Sequence, residues 1–163
     1  MTLLRRTFVA AAVPLAVTAC GFELRKAPDF IFTTIAIGSP EASPLGNELK
    51  RSIASGGGVR VTADAQAQVV LDVLADQREK VVVGLNASGQ VREFQLRTRF
   101  RFRLRTPGGK ELIPDTELLQ QRDISFNESV VLSKEAEESL LYRDMQSDIV
   151  QQLMRRLAAI KTL

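Results

Sequence analysis

Residues 94–105, FQLRTRFRFRLR, place arginine at alternate positions, and this pattern restricts the fold more than any other part of the chain. Successive side chains of a β-strand point to opposite faces of a sheet, so a period of two identifies a strand with one buried face. The buried parity comprises Phe94, Leu96, Thr98, Phe100, Phe102 and Leu104. The other parity carries five arginines, called here the arginine row: Arg97, Arg99, Arg101, Arg103 and Arg105.

The arginine row has two interpretations, which can both hold. Acidic residues on the neighbouring strands can neutralise it, giving a charge-balanced surface in contact with solvent. Alternatively, some guanidinium groups stay free to bind phosphate or carboxylate, which their planar shape suits. The acids with the matching outward parity are Asp72 and Asp76 on the preceding strand, and Glu111, Asp115, Glu117 and Asp123 on the following one.

Three further strands are predicted around this one, at residues 30–37, 68–83 and 110–126, with a brief extended piece at 59–62. The glycine-containing segments 84–90 and 106–109 suit the turns of two hairpins. Pro114 indicates a bend, an edge or a bulge in the last strand.

Two amphipathic helices are predicted. The first spans about 44–54, with Ser43 as its N-cap and Pro44 at its first position. The second spans about 134–160, with Ser133 as its cap, and its leucine, methionine and isoleucine side chains recur every four residues. Both helices need one apolar surface to cover. The predicted fold is therefore α+β: a two-layer sandwich in which two helices pack on one face of a four-stranded, mostly antiparallel sheet.

The amino terminus has the pattern of a bacterial lipoprotein signal. Arg5 and Arg6 precede the short apolar run FVAAAVPLAVTAC, which ends at the only cysteine of the chain, Cys20. The run is too short to span a bilayer, which takes about 20 apolar residues. We therefore expect residues 1–19 to be removed as a signal peptide, Cys20 to be acylated, residues 20–29 to form a tether, and residues 30–163 to form a single domain.

Composition excludes several function classes. The sequence has no histidine, so a Ser-His-Asp triad and histidine-based metal ligation are absent. With Cys20 acylated, no thiol nucleophile is left, and we expect neither a metal nor a cofactor. The net charge of +3 includes Arg5 and Arg6 of the signal, so the remainder is nearly neutral and nucleic acid is not an expected partner. A hydrolase with paired carboxylates stays formally possible, although no acidic pair stands out.

Three segments together resemble the lipopolysaccharide-assembly lipoprotein family LptE. They are CGFELR at the lipidation site, EFQLRTRFRFRL in the third predicted strand, and VVLSKEAEESLLYRDMQSDIVQQLMRRL at the end of the chain. The resemblance implies two helices against a four-stranded sheet, with no catalytic activity and no cofactor. It also implies a lipoprotein anchored on the periplasmic side of the outer membrane. Gly21, which is not aspartate, is compatible with that sorting.

Partners also follow from the resemblance. It implies binding to the β-barrel LptD, partly inside its lumen as a plug, help in its assembly, and a part in placing lipopolysaccharide in the outer leaflet. Family ligand contacts are basic but cannot be assigned here one by one, so the arginine row is the candidate lipopolysaccharide-binding site. The alternative functions are a stand-alone carrier of anionic lipid or glycolipid, and a lipid-anchored periplasmic enzyme that uses carboxylates.

Overall fold

The computed structural model describes residues 28–127 and 131–163. Within these residues, five strands and two helices follow one another, with a 3₁₀ turn at Asp64–Gln66. The elements are β1 (Thr34–Gly38), α1 (Pro44–Ser55), β2 (Arg60–Val61), β3 (Val69–Leu85), β4 (Val91–Arg105), β5 (Glu111–Ser125) and α2 (Val131–Ala158).

The strands form one sheet in the order β2-β1-β3-β4-β5. The three long strands β3, β4 and β5 pair antiparallel through two hairpins, as predicted. Strand β1 joins β3 in parallel, and α1 belongs to the connection between them. The brief extended piece predicted at 59–62 is β2, a two-residue edge strand parallel to β1. The sheet is therefore the predicted four-stranded one with a short fifth strand added.

Both helices pack on the same face of the sheet, which confirms the two-layer architecture. One core cluster joins Leu49 of α1, Leu153 of α2 and Phe102 of β4, and these three side chains are fully buried. A second cluster lies further along the sheet and joins Met145 of α2 to Leu96 and Ile124. The β4 side chains that the alternation predicts to be buried thus line the core on its sheet side.

The two helix starts differ in how well the sequence predicted them. Ser43 caps α1 as expected, because its hydroxyl oxygen accepts a hydrogen bond of 2.8 Å from the Gly46 amide. The predicted cap of α2 at Ser133 is wrong, since the helix already includes Val131 and Ser133 lies inside it. Val131 lines a small cavity together with Phe94, Phe126 and several charged side chains.

Candidate functional site

The arginine row lies on the face of the sheet opposite the helices, called here the open face. The even-numbered partners Phe100, Phe102 and Leu104 are fully buried beneath the helices, and the arginines between them point the other way. The exposed fraction of their side chains is 38% for Arg99, 49% for Arg101 and 47% for Arg103. The orientation predicted from the alternation is therefore confirmed for the whole strand.

Asp72 neutralises the end of the row that lies beside the turn 106–109. Its Oδ2 accepts hydrogen bonds of 2.7 Å from Arg103 Nε and 2.8 Å from Arg105 Nε, and its Oδ1 accepts one of 3.2 Å from Arg105. The hydrogen bond from Arg105 is the main cause that holds the pKa of the Asp72 carboxyl below its usual value, and Arg103 lowers it further. One carboxylate thus serves two guanidinium groups, consistent with strong charge-assisted bonding.

The ion pairs between the arginine row and the carboxylates of β5 become longer from Arg101 to Arg99. Arg101 Nε lies 3.0 Å from Asp115, whereas Arg99 Nε lies 3.8 Å from Glu117, beyond hydrogen-bond distance. The Arg99 Nε atom is buried and finds no hydrogen-bond partner within the described residues.

Arg97 differs from the other four arginines. Its Nε donates a hydrogen bond of 2.8 Å to the Gln95 amide oxygen. Of the row, only Arg97 has no carboxylate within 4 Å in the part of the chain that the structure describes. Close carboxylate contacts thus decrease along the row from Arg105 to Arg97, which has Glu79 as the only carboxylate opposite it in the register, beyond ion-pair distance.

The predicted outward position of Asp76 is wrong. A β-bulge inserts Leu74 as an extra residue between the pairs Val73–Phe102 and Ala75–Arg101. Because a shift of one residue exchanges the two faces, Asp76 lies opposite Phe100 on the helix side. There its Oδ2 accepts a hydrogen bond of 2.5 Å from the Ser43 hydroxyl.

The remaining predicted acids occupy the open face in the expected register. Glu117 lies opposite Arg101, and Glu111 lies opposite Arg105. Asp123 lies opposite Gln95 and accepts a hydrogen bond of 3.0 Å from its amide. These pairs make the open face hydrophilic and largely charge-balanced, which supports the first interpretation of the arginine row.

A polar network joins the two helices to β3, and the sequence did not predict it. The Gln146 amide, with 7% of its surface exposed, donates to Glu48 of α1 at 2.5 Å, and its oxygen accepts from Arg78 of β3 at 2.6 Å. Ser147 donates to the second oxygen of Glu48 at 2.8 Å. The partners are separated by 68 to 99 residues, and no local pattern indicates such a contact.

Described residues line two small cavities, which lie at opposite ends of the domain. One, of about 100 Å³, is lined by Pro28, Phe30 and Ile53 among others. The other, of about 60 Å³, lies between Phe94 and Val131 beside Lys80. Pockets that enclose small-molecule ligands have volumes of roughly 300–1,000 Å³, so neither cavity could enclose a lipid chain.

Among residues 28–127 and 131–163, no three histidine, cysteine or acidic residues come together as metal ligands would. Within the same ranges, no helix combines the length and the apolar character that crossing a bilayer requires. The predicted acylation site, Cys20, lies outside the described residues, so it stays a prediction.

The sequence profile of the family described as "LptE: Lipopolysaccharide-assembly" matches residues 32–157, which covers the sheet and nearly all of both helices. The chain belongs to the LptE family. It is 26% identical over 159 residues to the LPS-assembly lipoprotein LptE of Pectobacterium atrosepticum, a match covering 94% of this chain and 85% of that protein.

Solved structures agree with this membership. Lipoprotein B of Nitrosomonas europaea, in a solution structure, is 34% identical with a TM-score of 0.74, covering 85% of this chain and 90% of that one. Rare lipoprotein B of Shewanella oneidensis is 22% identical with a TM-score of 0.65, over 78% of this chain and 95% of that one. The latter supports the fold alone.

Within this LptE-family fold, the candidate site is an open sheet face. All five predicted arginines lie on that face, and they differ in the distance from the guanidinium group to the nearest carboxylate.

Proposed function

We propose that this protein is a non-enzymatic outer-membrane lipoprotein that binds an LptD-type β-barrel and occupies part of its lumen. In this role it aids barrel assembly and the insertion of lipopolysaccharide into the outer leaflet. A lipid on Cys20 holds it on the periplasmic side. Membership of the LptE family supports this proposal, and the lipoprotein names of the Pectobacterium and Nitrosomonas relatives support the anchor.

The observation that carries the proposal is the polarity of the open face. A sheet with helices on one side only would normally need its second face either solvated or covered. Here that face carries Arg101 with Asp115, and Arg103 and Arg105 with Asp72, which suits a polar, water-filled barrel lumen. An apolar open face would instead need a protein or lipid cover.

Co-purification and crosslinking test the barrel partner. The protein, tagged and expressed at its native level, is extracted in detergent, and a large barrel protein is expected to accompany it. Photocrosslinking residues replace Glu117 on the open face and Arg143 on the exposed side of α2. A protein enclosed by a lumen crosslinks to the barrel from both positions. Recovery only as a free monomer, with no crosslink from either position, contradicts the proposal.

We further propose that lipopolysaccharide phosphates contact the arginine row, first at Arg97, which has no carboxylate partner, and then at Arg99, whose contact to Glu117 is long. The double variant Arg97→Glu with Arg99→Glu is expected to weaken lipopolysaccharide binding by about tenfold or more, since hydrogen bonds to charged groups contribute roughly 1.5–3 kcal/mol each. Arg92→Glu, an exposed arginine outside the row, is the matched control. Unchanged binding in the double variant, with the fold intact by circular dichroism, would show that the row is structural.

The stand-alone carrier is the second candidate. It needs an enclosed apolar cavity, and the two cavities described above, of about 100 and 60 Å³, are too small to hold an acyl chain. No contact in the described structure favours this candidate over the barrel partner.

A further inference from the structure

Unpaired cations collect at one end of the domain, beyond the neutralised end of the arginine row at Arg103 and Arg105. This end, called here the basic end, is marked by the turn 106–109, the end of α2 and the start of β1. Lys110 Nζ donates a hydrogen bond of 2.9 Å to the carbonyl of Leu163, which places the turn beside the chain terminus. The register Thr34–Arg60 and the pair Val70–Arg105 place β2 at the same end.

Four exposed cations at the basic end have no side-chain hydrogen bond or ion pair with any other described residue: Arg60, Arg155, Arg156 and Lys161. The helix dipole accounts for the favourable position of Arg155 and Arg156 in the last turn of α2, but it does not account for Arg60 in an edge strand. Three exposed carboxylates share this end, Asp29, Asp64 and Glu111, and they leave the cations in excess.

The opposite end of the domain has the reverse balance. Beyond the Glu79–Arg97 pair, the described residues include five carboxylates and four cations. The carboxylates are Glu93, Asp123, Glu135, Glu137 and Glu138, and the cations are Lys80, Arg92, Arg122 and Lys134. Three of these four cations are already paired: Lys80 with Glu138 at 2.6 Å, Arg122 with Asp148 at 3.0 Å, and Lys134 with Glu137 at 2.8 Å. The domain therefore carries its charge asymmetrically along the strand direction.

The chain enters the described structure at the basic end. Pro28 and Phe30 line the cavity that also contains Ile53 and Val59, at the end of α1 and just before β2. The seven residues between Cys20 and Pro28 could span at most roughly 25 Å when fully extended. A lipid on Cys20 would therefore hold the basic end, and not the acidic end, close to the bilayer.

We propose that the basic end is a membrane-facing surface that binds the phosphate groups of anionic phospholipids. The inference rests on the lipid anchor of the proposed function. Basic side chains beside a lipid anchor add a second, electrostatic attachment to an anionic surface. Each lysine or arginine near an anionic surface strengthens the contact by about fivefold, and salt weakens it. The four cations thus orient the domain, with its acidic end directed away from the membrane.

Fluorescence quenching in vesicles tests this orientation. The mature protein is purified from membranes, the lipid on Cys20 is verified by mass spectrometry, and the protein is reconstituted without any barrel. Gly108→Cys at the basic end and Ser88→Cys at the acidic end give single labelling sites, since Cys20 is acylated. A quencher attached to lipid headgroups is expected to act on the Gly108 label more strongly in vesicles containing phosphatidylglycerol than in pure phosphatidylcholine. The Ser88 label is expected to respond equally in both.

Matched triple variants make the test specific. Arg60→Gln with Arg155→Gln and Arg156→Gln is expected to abolish the phosphatidylglycerol effect, as is high salt. Arg92→Gln with Lys134→Gln and Arg143→Gln removes the same charge elsewhere and should preserve it. Equal quenching in both lipids, or an equal loss in both triple variants, overturns the proposal. An unmodified Cys20 also overturns it. A third contrary outcome is that the basic-end triple variant no longer co-purifies with the barrel in detergent, while its quenching in vesicles is unchanged. Because the vesicles contain no barrel, this test can succeed even if the protein does not bind inside a barrel.

Discussion

The Ser43 hydroxyl links a helix cap to the sheet, because it accepts the Gly46 amide and donates to Asp76 of β3 at 2.5 Å. The bulge at Leu74 makes this contact possible by turning Asp76 toward the helices. One side chain therefore begins α1 and also joins it to the strand that starts the antiparallel part of the sheet.

Ser43→Ala should destabilise the protein by about 1–2 kcal/mol, because it removes the cap and leaves Asp76 without its donor. Chemical denaturation followed by circular dichroism measures the loss. Ser55→Ala, which removes an exposed hydroxyl bonded to the Ser52 carbonyl, is the control and should change stability by a few tenths of a kcal/mol. Equal effects of the two substitutions would show that the link to the sheet contributes nothing.

Gly46→Ala should also destabilise, although alanine normally favours a helix over glycine by about 1 kcal/mol. A Cβ at this position would lie 2.7 Å from Ser39 Cβ, so the segment before α1 would have to move. We expect a net loss of about 1–3 kcal/mol, the usual range for overpacking. Gly58→Ala, whose added Cβ would meet open space, is the matched control. A thermal melting point that rises in Gly46→Ala would contradict the close contact.

Asp72 should make the free energy of unfolding depend on pH in the acid range. Hydrogen bonds from Arg105 and Arg103 lower its pKa in the folded state below 3.8, so the folded protein binds the proton less readily than the unfolded chain. Its contribution is therefore complete above about pH 5 and is lost as the pH falls through the folded-state pKa. Asp72→Asn should cost about 1–2 kcal/mol near neutral pH, and the gap to the natural protein should narrow on acidification. A gap independent of pH between neutrality and strong acid would refute this assignment.

Tyr142 should make stability depend on pH in the alkaline range. Its ionisation can be followed directly by absorbance, because the sequence has one tyrosine and no tryptophan. Burial is the main cause that raises its pKa above 10, and Glu138 raises it further. Its hydroxyl also donates a hydrogen bond of 2.8 Å to the Glu79 carbonyl. The stabilisation from the neutral phenol is present below about pH 10 and is lost as the pH rises through the folded-state pKa. Absorbance titration should show ionisation above the usual range, and a normal value would indicate that the phenol is solvated.

Local periodicity was enough to predict most elements of the fold. The alternation through Arg97–Arg105 depends only on the two-residue repeat of a strand, and the cap at Ser43 depends on chemistry within one turn of a helix. The end of β4 at Arg105 follows from this pattern directly, and the strand begins three residues before the segment 94–105, at Val91. The lipoprotein signal before Cys20 is likewise a local pattern, and it stays a prediction because it lies outside the described residues.

The tertiary structure decided what periodicity cannot specify. The extra residue Leu74 reversed the face of Asp76, and no local signal distinguishes a bulge from a continuous strand. The helix α2 likewise includes Val131 and Leu132 before Ser133, although Ser133 has the chemistry of an N-cap.

The sequence by itself determined which residues form the long strands, the faces of β4 and the α+β architecture, because these follow from repeats of two and about 3.6 residues. Only the tertiary structure decided which cations are neutralised, because ion pairs depend on registers between strands. It therefore separated Arg105, which shares Asp72 with Arg103, from Arg97, and it brought Arg60 to the same end as Arg155 and Arg156.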